Sequence, residues 1–544
     1  MDFSARAKIE GMRLQHVNSL RQRTVFGWAA IVSLLAVLPI LLVQHLPLLD
    51  APGHEARIAL LRTLWVEGGD SAFYRATDPF SANMAFDTIG VLLLNFMSPE
   101  AAGRVFLGLT MVAILWGVMA LNRVVTGRWN LAPLAVGLVL YHTVIILCFF
   151  SYLFGLALVP WALAARLSVR RPWAGFAVGC LCTLVLTLSH LFAASIYVVF
   201  LASDRAVRVA QGRLRPAAAI ASLAEFLPVA VLVPTVFRGG GVNLLKYMDS
   251  PSFLGVKAAG LAEAFGSGSL WADGALIVGL LALLAIAVSR AKLTLSRPAA
   301  AGLVALLLLY IVLPFELGSA SNVDKRMPIA VAFLALGFID VRARVDVWTR
   351  RFIGVAAVAF TVKQLVLALL WLNLDPVIDT AVAALRTLPP GAVIMQAECH
   401  PRVRSIGESL IKWHPPLSHT AALATLDDRR FAASNWAIPG QQPIAVQPAY
   451  LPYYDLQSKF NDSICDGSIY RYELARIRAV APTSSVPPGL VYLLLIRPPE
   501  PGMLTEDAEL VTRGPNFELY AANRADGASL GGSPSQPSSG SRGN

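Results

Sequence analysis

Long apolar runs constrain this chain more than any other feature of its sequence. The first extends over about residues 25–46, and others follow at 101–121, 273–289 and 352–373. A helix needs about 20 apolar residues to cross a bilayer, and about a quarter of the residues in a soluble domain are charged. Here 56% of the 544 residues are hydrophobic and only 15% are charged. The sequence therefore predicts an α-helical polytopic membrane protein.

The distribution of charge predicts how the chain crosses the membrane. Its 45 Lys and Arg residues are concentrated in short loops between apolar runs, as the positive-inside rule expects of cytoplasmic loops. Placing these loops on one side gives about eleven transmembrane helices, with a cytoplasmic basic N-terminus over 1–24 and a transmembrane domain over 25–374. In this arrangement 84–97 is an interfacial or re-entrant helix, and 173–203 is a pair of short helices. No basic stripe with interleaved aromatic residues points to nucleic acid.

The composition changes near residue 375, where the long apolar runs end. A helical pattern over 377–388 is followed by the strand-like segments AVIMQAE, LVYLLLIR and FELYAAN. We therefore expect a small C-terminal α/β domain over 375–524 on the periplasmic face. The Gly- and Ser-rich tail over 525–544 is expected to be disordered.

Cysteine and histidine spacing indicates no zinc site, and the chain has no nucleotide-binding phosphate loop. Cys399 and Cys465 both fall in the predicted outer domain. An oxidising compartment permits a disulfide there. Whether they pair stays open, because the sequence does not give their separation.

Titratable residues are concentrated in one stretch, 47-PLLDAPGHEARIALLRTLWVEGGDSAFYR-75, within a predicted first outer loop over 47–100. A proline two positions after Asp50 predicts the start of a helix. His54 and Arg57 then lie one turn apart on it. Ionisable groups so near a membrane are costly unless they are functional or well solvated. The structural interpretation is that Asp50 favours the positive helix end while the basic groups extend to water.

A functional interpretation comes from a resemblance. The run D-x-P-x-H-x-x-R, formed by Asp50, Pro52, His54 and Arg57 just after the first membrane helix, resembles bacterial multi-span members of the GT-C class of membrane glycosyltransferases. The order of many helices and then a small outer domain, and more weakly 322-NVDKRMP-328, add to it. The resemblance implies a multi-pass protein of a bacterial inner membrane, with a cytoplasmic N-terminus and a periplasmic C-terminus. It also implies transfer of a hexosyl or pentosyl group from a polyprenyl-phosphate carrier in the lipid to a glycan, lipid or protein acceptor.

The chemistry of such a transfer suggests roles for individual residues. A sugar on a lipid phosphate already has a good leaving group, so the enzyme requires a carboxylate to activate the acceptor hydroxyl and cations to hold the phosphate. Asp50 is the candidate catalytic base, although a helix N-terminus predicts a lowered pKa and a weaker base. No Asp-x-Asp pair assigns metal ligands, and a divalent metal cofactor stays open. The candidate substrate-binding residues are His54, Arg57, Lys246, Lys325 and Arg326.

Several of these residues also have a structural explanation. Lys325 and Arg326 stand just before a membrane helix, where a hydrated turn explains them equally well. His190, at the tip of the predicted helix pair, is more often a structural polar group than a ligand. Asp87 is expected to be solvated, and His419 lies in the outer domain without ligand-like spacing.

Two other functions stay open: a lipid or polysaccharide transporter or flippase, and a non-catalytic envelope assembly protein. Transporters place charged groups or broken helices near the bilayer midplane, often in repeated halves. Here Glu225 and Lys363 are the main charged residues in helix middles, and no repeat is visible. This favours an interfacial site. The substitution Asp50→Asn distinguishes a scaffold from a transferase, because a scaffold should tolerate it and a transferase should lose activity.

Overall fold

The computed structural model gives the positions of most of the chain. The residues that it describes are 3–77, 83–236, 245–246, 253–317, 321–343, 346–399, 416–438, 442–460, 467–480, 484 and 486–522.

Helices dominate this described part. The α-helices are α1 (Phe3–Leu41), α2 (Ala51–Leu61), α3 (Ala85–Leu93), α4 (Pro99–Thr126), α5 (Val136–Val139), α6 (Thr143–Ile146), α7 (Phe150–Ser168), α8 (Pro172–Ser189), α9 (Leu191–Ala210), α10 (Pro216–Ser222), α11 (Leu227–Val236), α12 (Phe253–Ala264), α13 (Leu270–Ser289), α14 (Arg297–Val312), α15 (Arg326–Phe338), α16 (Val347–Arg386), α17 (Leu451–Gln457) and α18 (Gly467–Val480). A π-helix follows α2 at Arg62–Val66, and 3₁₀-helices lie at Ala132–Ala135, Leu223–Phe226, Thr420–Thr425, Pro448–Tyr450 and Pro488–Leu490.

The strands are short and fall mainly in the C-terminal third. They are β1 (Tyr74–Ala76), β2 (Leu245–Lys246), β3 (Ala291–Thr294), β4 (Glu316–Leu317), β5 (Asp340–Ala343), β6 (Val393–Glu398), β7 (Phe431–Ala432), β8 (Ile444–Val446), β9 (Val491–Ile496), β10 (Glu509–Gly514) and β11 (Phe517–Ala521).

Within the described residues, seven helical segments are long and apolar enough to cross a membrane. They lie in α1, α4, α7, α8, the region from α10 to α11, α13 and α16, and α14 and α15 are shorter apolar helices. This confirms a multi-pass helical membrane protein. The figure of eleven crossings stays a prediction. The expected helix pair is present as α8 and α9, with His190 between them.

The helix predicted over 131–150 is not continuous, and Lys363 explains how the break is stabilised. The segment divides into a 3₁₀-helix, α5 and α6, with His142 in an extended conformation between α5 and α6. The buried Lys363 ammonium donates hydrogen bonds to the carbonyls of Leu138 and Tyr141, at 2.9 and 2.8 Å. These bonds satisfy carbonyls that lose their helical partners at the break.

One long helix replaces the two helices expected at 352–373 and 377–388. α16 runs for 40 residues through Pro376 and beyond the predicted domain boundary at 375. Asp375 accepts hydrogen bonds from the backbone N–H groups of Gln44 and His45, both at 2.8 Å. The chain segment after α1 is therefore fixed to α16.

A five-stranded sheet forms the C-terminal domain, in the order β10-β11-β9-β6-β7. β6 is parallel to both β9 and β7, while β11 is antiparallel to β9 and β10. β6 and β9 are buried at every position because both faces are covered. The end of α16 packs on one face, and α17 and α18 pack on the other. The predicted α/β domain and its three strands are confirmed.

The C-terminal domain is joined to the first loop. β1 pairs with β8 in antiparallel register, with Tyr74 opposite Val446. The Ser71 hydroxyl donates to Asp428 Oδ1 at 2.7 Å. We call this junction the seam, defined by β1, β8, α2 and the 3₁₀-helix Thr420–Thr425, which packs on α2.

Candidate active site

Asp50 precedes α2 at the seam, and its carboxylate is not used as a helix cap. The residue has helical backbone angles (φ −96°, ψ −2°) and makes no side-chain capping bond. Its side chain is 15% exposed, and among the described residues Oδ1 has no hydrogen-bond partner. A buried carboxylate oxygen without a partner is costly. It is therefore a candidate for binding or chemistry.

The expectation of a lowered pKa for Asp50 is wrong. Burial raises the pKa of this carboxyl to about 7, against the lowering effect of Arg57 and Arg326. The backbone N–H groups at the helix start are not directed to the carboxylate, so loss of hydration dominates. A carboxylate with this pKa is a stronger base than the sequence suggested.

The nearest ionisable neighbour of Asp50 is His419, in the C-terminal domain. His419 Nε2 lies 3.7 Å from Asp50 Oδ1. The Nδ1 atom of His419 lies 2.8 Å from the Ser434 carbonyl oxygen, and Trp436 Nε1–H donates to Nε2 at 2.9 Å. Burial lowers the pKa of His419 to about 4, so the ring is neutral at pH 7. Sequence reasoning missed this contact because spacing along the chain does not indicate the seam.

Arg326 begins α15, and among the described residues its guanidinium forms no ion pair with a carboxylate. Its guanidinium lies over the rings of Phe149 and Tyr152, at 4.4 and 5.4 Å. It also lies 3.3 Å from His190 Nε2 and donates to the Ser321 carbonyl at 3.2 Å. The guanidinium has five N–H donors, which leaves capacity for an anion.

Lys325, the next predicted cation, is paired. Its ammonium lies 2.7 Å from Glu263 Oε2. The neighbouring Asp324 pairs in turn with Lys257 at 2.8 Å. The charges around Arg326 are therefore neutralised locally, while the charge of Arg326 is not.

His54 and Arg57 are engaged by their surroundings. Arg57 Nε lies 2.8 Å from Asp87 Oδ1, and Arg57 Nη2 donates to His54 Nδ1 at 2.7 Å. Burial lowers the pKa of His54, against the raising effect of a hydrogen bond with the Cys148 backbone. The expectation that Asp87 is solvated is wrong, because this pairing buries it. Both residues support the start of α2, and ligand binding by them stays a prediction.

Two further predictions fall at the edge of the described part. Lys246 is in β2, which pairs with β4 through Lys246 and Glu316, and its side chain is outside the described residues. Cys399 is disulfide-bonded, and Cys465 lies outside the described residues.

The described residues contain no candidate metal site. Among the described residues, no group of three or more His, Cys, Asp or Glu side chains is placed to hold a metal ion. A divalent cofactor stays open.

The fold and the site define a multi-pass helical membrane protein with a C-terminal α/β domain and a buried carboxylate at the junction of the two. No protein-family model matches the chain, and no curated protein matches it.

Two solved structures are similar in overall fold. The arabinofuranosyltransferase AftD from mycobacteria has 14% identity and a TM-score of 0.44, over 91% of this chain and 40% of that chain. ArnT from Cupriavidus metallidurans, solved with undecaprenyl phosphate bound, has 13% identity and a TM-score of 0.48, over 92% of this chain and 98% of that chain. The chain thus spans about 40% of the length of AftD.

Proposed function

We propose that this protein is a membrane glycosyltransferase that moves a sugar from a polyprenyl-phosphate carrier to an acceptor hydroxyl on the periplasmic face. The observation that carries the proposal is that the buried Asp50 carboxyl lies near the Arg326 guanidinium. Among the described residues, one carboxylate oxygen of Asp50 has no hydrogen-bond partner, and Arg326 is close enough to favour its ionised form. The sequence pattern around Asp50 supports the same chemistry.

The reaction requires one base and one anion site. Asp50 accepts the proton of the acceptor hydroxyl, whose oxygen forms the new bond to the anomeric carbon of the sugar. The bond from that carbon to the phosphate oxygen breaks, and the polyprenyl phosphate leaves with the electron pair. Burial raises the pKa of Asp50 to about 7, which suits a base that works near neutral pH.

Arg326 is suited to the leaving phosphate. Its guanidinium has no carboxylate partner among the described residues, and it begins an apolar helix. Planar donors of Arg match phosphate oxygens and gain strength as negative charge develops. The rings of Phe149 and Tyr152, over which the guanidinium lies, help to fix its position.

The proposed orientation has a cytoplasmic N-terminus and a periplasmic C-terminal domain in a bacterial inner membrane. Loops predicted to be cytoplasmic contact one another. β3 pairs with β5, and Arg128 lies 2.6 Å from Asp340. These contacts support the assignment of the basic loops to one side. Labelling of single introduced cysteines from outside intact spheroplasts tests it, and labelling of this loop cluster would overturn it.

Transport receives less support, because the two main charged groups in helix middles are bound by other groups of the protein itself. Glu225 is fully buried between Arg166, at 3.2 Å, and Arg205. The Lys363 ammonium donates hydrogen bonds to the carbonyls of Leu138 and Tyr141. A broken helix can bind a transported ion at such carbonyls, but here a side chain occupies that role.

The test compares Asp50→Asn with Asp455→Asn, the same change at an exposed position of α17. Each protein is purified and checked by thermal melt, and the lipid-linked sugars and envelope glycans of cells that carry it are profiled. We expect Asp50→Asn to remove one sugar from a glycan while its lipid-linked donor accumulates, and Asp455→Asn to match the parent protein. Unchanged glycans and lipids in folded Asp50→Asn would refute the transferase and favour transport or scaffolding.

A further inference from the structure

His419 is held in one tautomer. The Ser434 carbonyl oxygen can only accept a hydrogen bond, so the hydrogen of the neutral ring is on Nδ1, 2.8 Å away. Nε2 then carries the lone pair, and it is the ring nitrogen closer to the indole N–H of Trp436, at 2.9 Å against 3.3 Å for Nδ1. The same Nε2 faces Asp50 Oδ1 at 3.7 Å.

The location of His419 is tied to the helix that Asp50 begins. His419 immediately precedes the 3₁₀-helix Thr420–Thr425, which packs on α2. Trp436 lies against Gly53, where an added Cβ would be 3.6 Å from its Cδ1 atom. Two elements of the C-terminal domain thus meet the first turn of α2.

We propose that His419 is a positioning residue that favours the protonated form of the Asp50 carboxyl from across the seam. This inference rests on the proposed function of Asp50 as a base. It makes the C-terminal domain a component of the site and not a separate binding module.

The interaction between His419 and Asp50 is electrostatic. Because Nε2 of the neutral His419 ring carries no hydrogen, it cannot donate a hydrogen bond to an ionised carboxylate, and its partial negative charge 3.7 Å away repels that carboxylate. A proton on Asp50 relieves that repulsion, so the His419 tautomer favours the carboxyl form.

The other groups that face Asp50 act in different directions. Arg57 from α2 and Arg326 from α15 favour the ionised form. Cys148, between α6 and α7, is a buried thiol, and burial and the charge of Asp50 both raise its pKa. His54 is neutral and is held by Arg57. Of these neighbours, His419 is the one contributed by the C-terminal domain.

A matched pair of variants separates positioning from a purely structural role. In His419→Asn the side-chain amide takes the place of Nδ1 and keeps the bond to Ser434, with nothing toward Asp50. In His419→Gln the amide takes the place of Nε2 and donates to Asp50. The full-length protein in detergent is titrated by infrared difference spectroscopy, with the Asp50 carboxyl band assigned by its loss in Asp50→Asn.

We expect both variants to lower the titration midpoint of Asp50, with His419→Gln lowering it by about one pH unit, because a donor favours the ionised form. Trp436→Phe should raise the midpoint, since Nε2 then has its lone pair free for the Asp50 proton. If His419 only supports the Ser434 loop, His419→Asn restores the parent midpoint. A midpoint unchanged in folded His419→Gln and in Trp436→Phe overturns the inference.

The two proposals fail separately. A shifted midpoint together with unchanged lipid-linked sugars in Asp50→Asn would retain the positioning role and refute the transferase. An unshifted midpoint with a lost sugar in Asp50→Asn would do the reverse. When both hold, the acid limb of the kcat/KM profile moves with the spectroscopic midpoint.

Discussion

Arg57 Nε and Asp87 Oδ1 lie 2.8 Å apart in an ion pair whose side chains are only 5% and 3% exposed. The pair joins α2 to α3, and so it fixes the helix that begins at Asp50. Its counterpart in the same stretch, Arg62 with Glu67, lies 3.0 Å apart with side chains 38% and 50% exposed. The two pairs allow a direct comparison of a buried and a solvated interaction.

We expect Asp87→Asn to destabilise the protein strongly and Glu67→Gln hardly at all. Breaking a buried pair leaves an uncompensated charge and costs about 3–5 kcal/mol, whereas an exposed pair contributes about 0–1 kcal/mol. Thermal melts of the two variants in one detergent measure the difference. Equal melting temperatures would mean that water reaches Arg57.

Transfer activity should depend on ionisation of Asp50. Burial raises the pKa of this carboxyl to about 7, and a base acts only when it is ionised. The expected kcat/KM is half-maximal near that pH and falls about tenfold for each pH unit below it. A kcat/KM profile that is flat between about pH 5 and pH 8 would contradict a role for Asp50 as the base.

The raised pKa also predicts a stability cost at neutral pH. The pKa of Asp50 is about 7 in the folded protein, above its ordinary value of 3.8, so the folded protein binds this proton more tightly than the unfolded chain does. The resulting stabilisation is complete below the unfolded pKa and is lost as pH rises through the folded pKa.

Asp50→Asn, which cannot ionise, should therefore raise Tm at about pH 8 and change it little at about pH 4. The exposed control Asp455→Asn should show neither effect. A Tm that falls in Asp50→Asn at the higher pH would mean that the ionised carboxylate stabilises the fold.

Arg326 and Lys325 are adjacent, yet their substitution should have different effects. Arg326→Gln is expected to raise the KM for the lipid-linked donor by about 10- to 100-fold, from the loss of charge-assisted bonds. Lys325→Gln should mainly lower Tm, because it leaves Glu263, at 2.7 Å, without its partner.

The double variant Lys325→Gln/Glu263→Gln should recover most of the lost Tm without changing donor KM. A large increase of donor KM in this double variant would assign phosphate binding to Lys325 as well.

Lys363→Met tests the internal role of a charged residue in a membrane helix. It removes the donor to the carbonyls of Leu138 and Tyr141, at an expected cost of about 1–3 kcal/mol for each unsatisfied carbonyl. Tm should fall while donor KM stays unchanged. Loss of a transport or flipping activity in a variant of unchanged Tm would instead support translocation through this break.

Local patterns in the sequence predicted much of the fold. The start of α2 near Pro52, the α8–α9 pair around His190 and the strands β6, β9 and β11 each depend on neighbouring residues. Apolar length, proline position and strand composition determine such elements directly.

Properties that depend on tertiary packing were not predictable. The sequence placed Asp50 at a helix start but could not give its burial, which reverses the expected direction of its pKa. It named Arg57 as a candidate substrate-binding residue but could not show that Asp87 pairs with it. The approach of His419 depends on the pairing of β1 with β8, for which the chain carries no local signal.

The helix α16 continues without a break from its apolar part to its end at Arg386. Its 40 residues correspond to a rod about 60 Å long, roughly twice the thickness of the hydrocarbon core. The end of α16 packs against the sheet of the C-terminal domain, so a continuous helix, and not a loop, joins that sheet to the apolar part of α16. In the proposed reaction, this fixes the distance above the bilayer at which a water-borne acceptor meets a sugar whose carrier stays in the lipid.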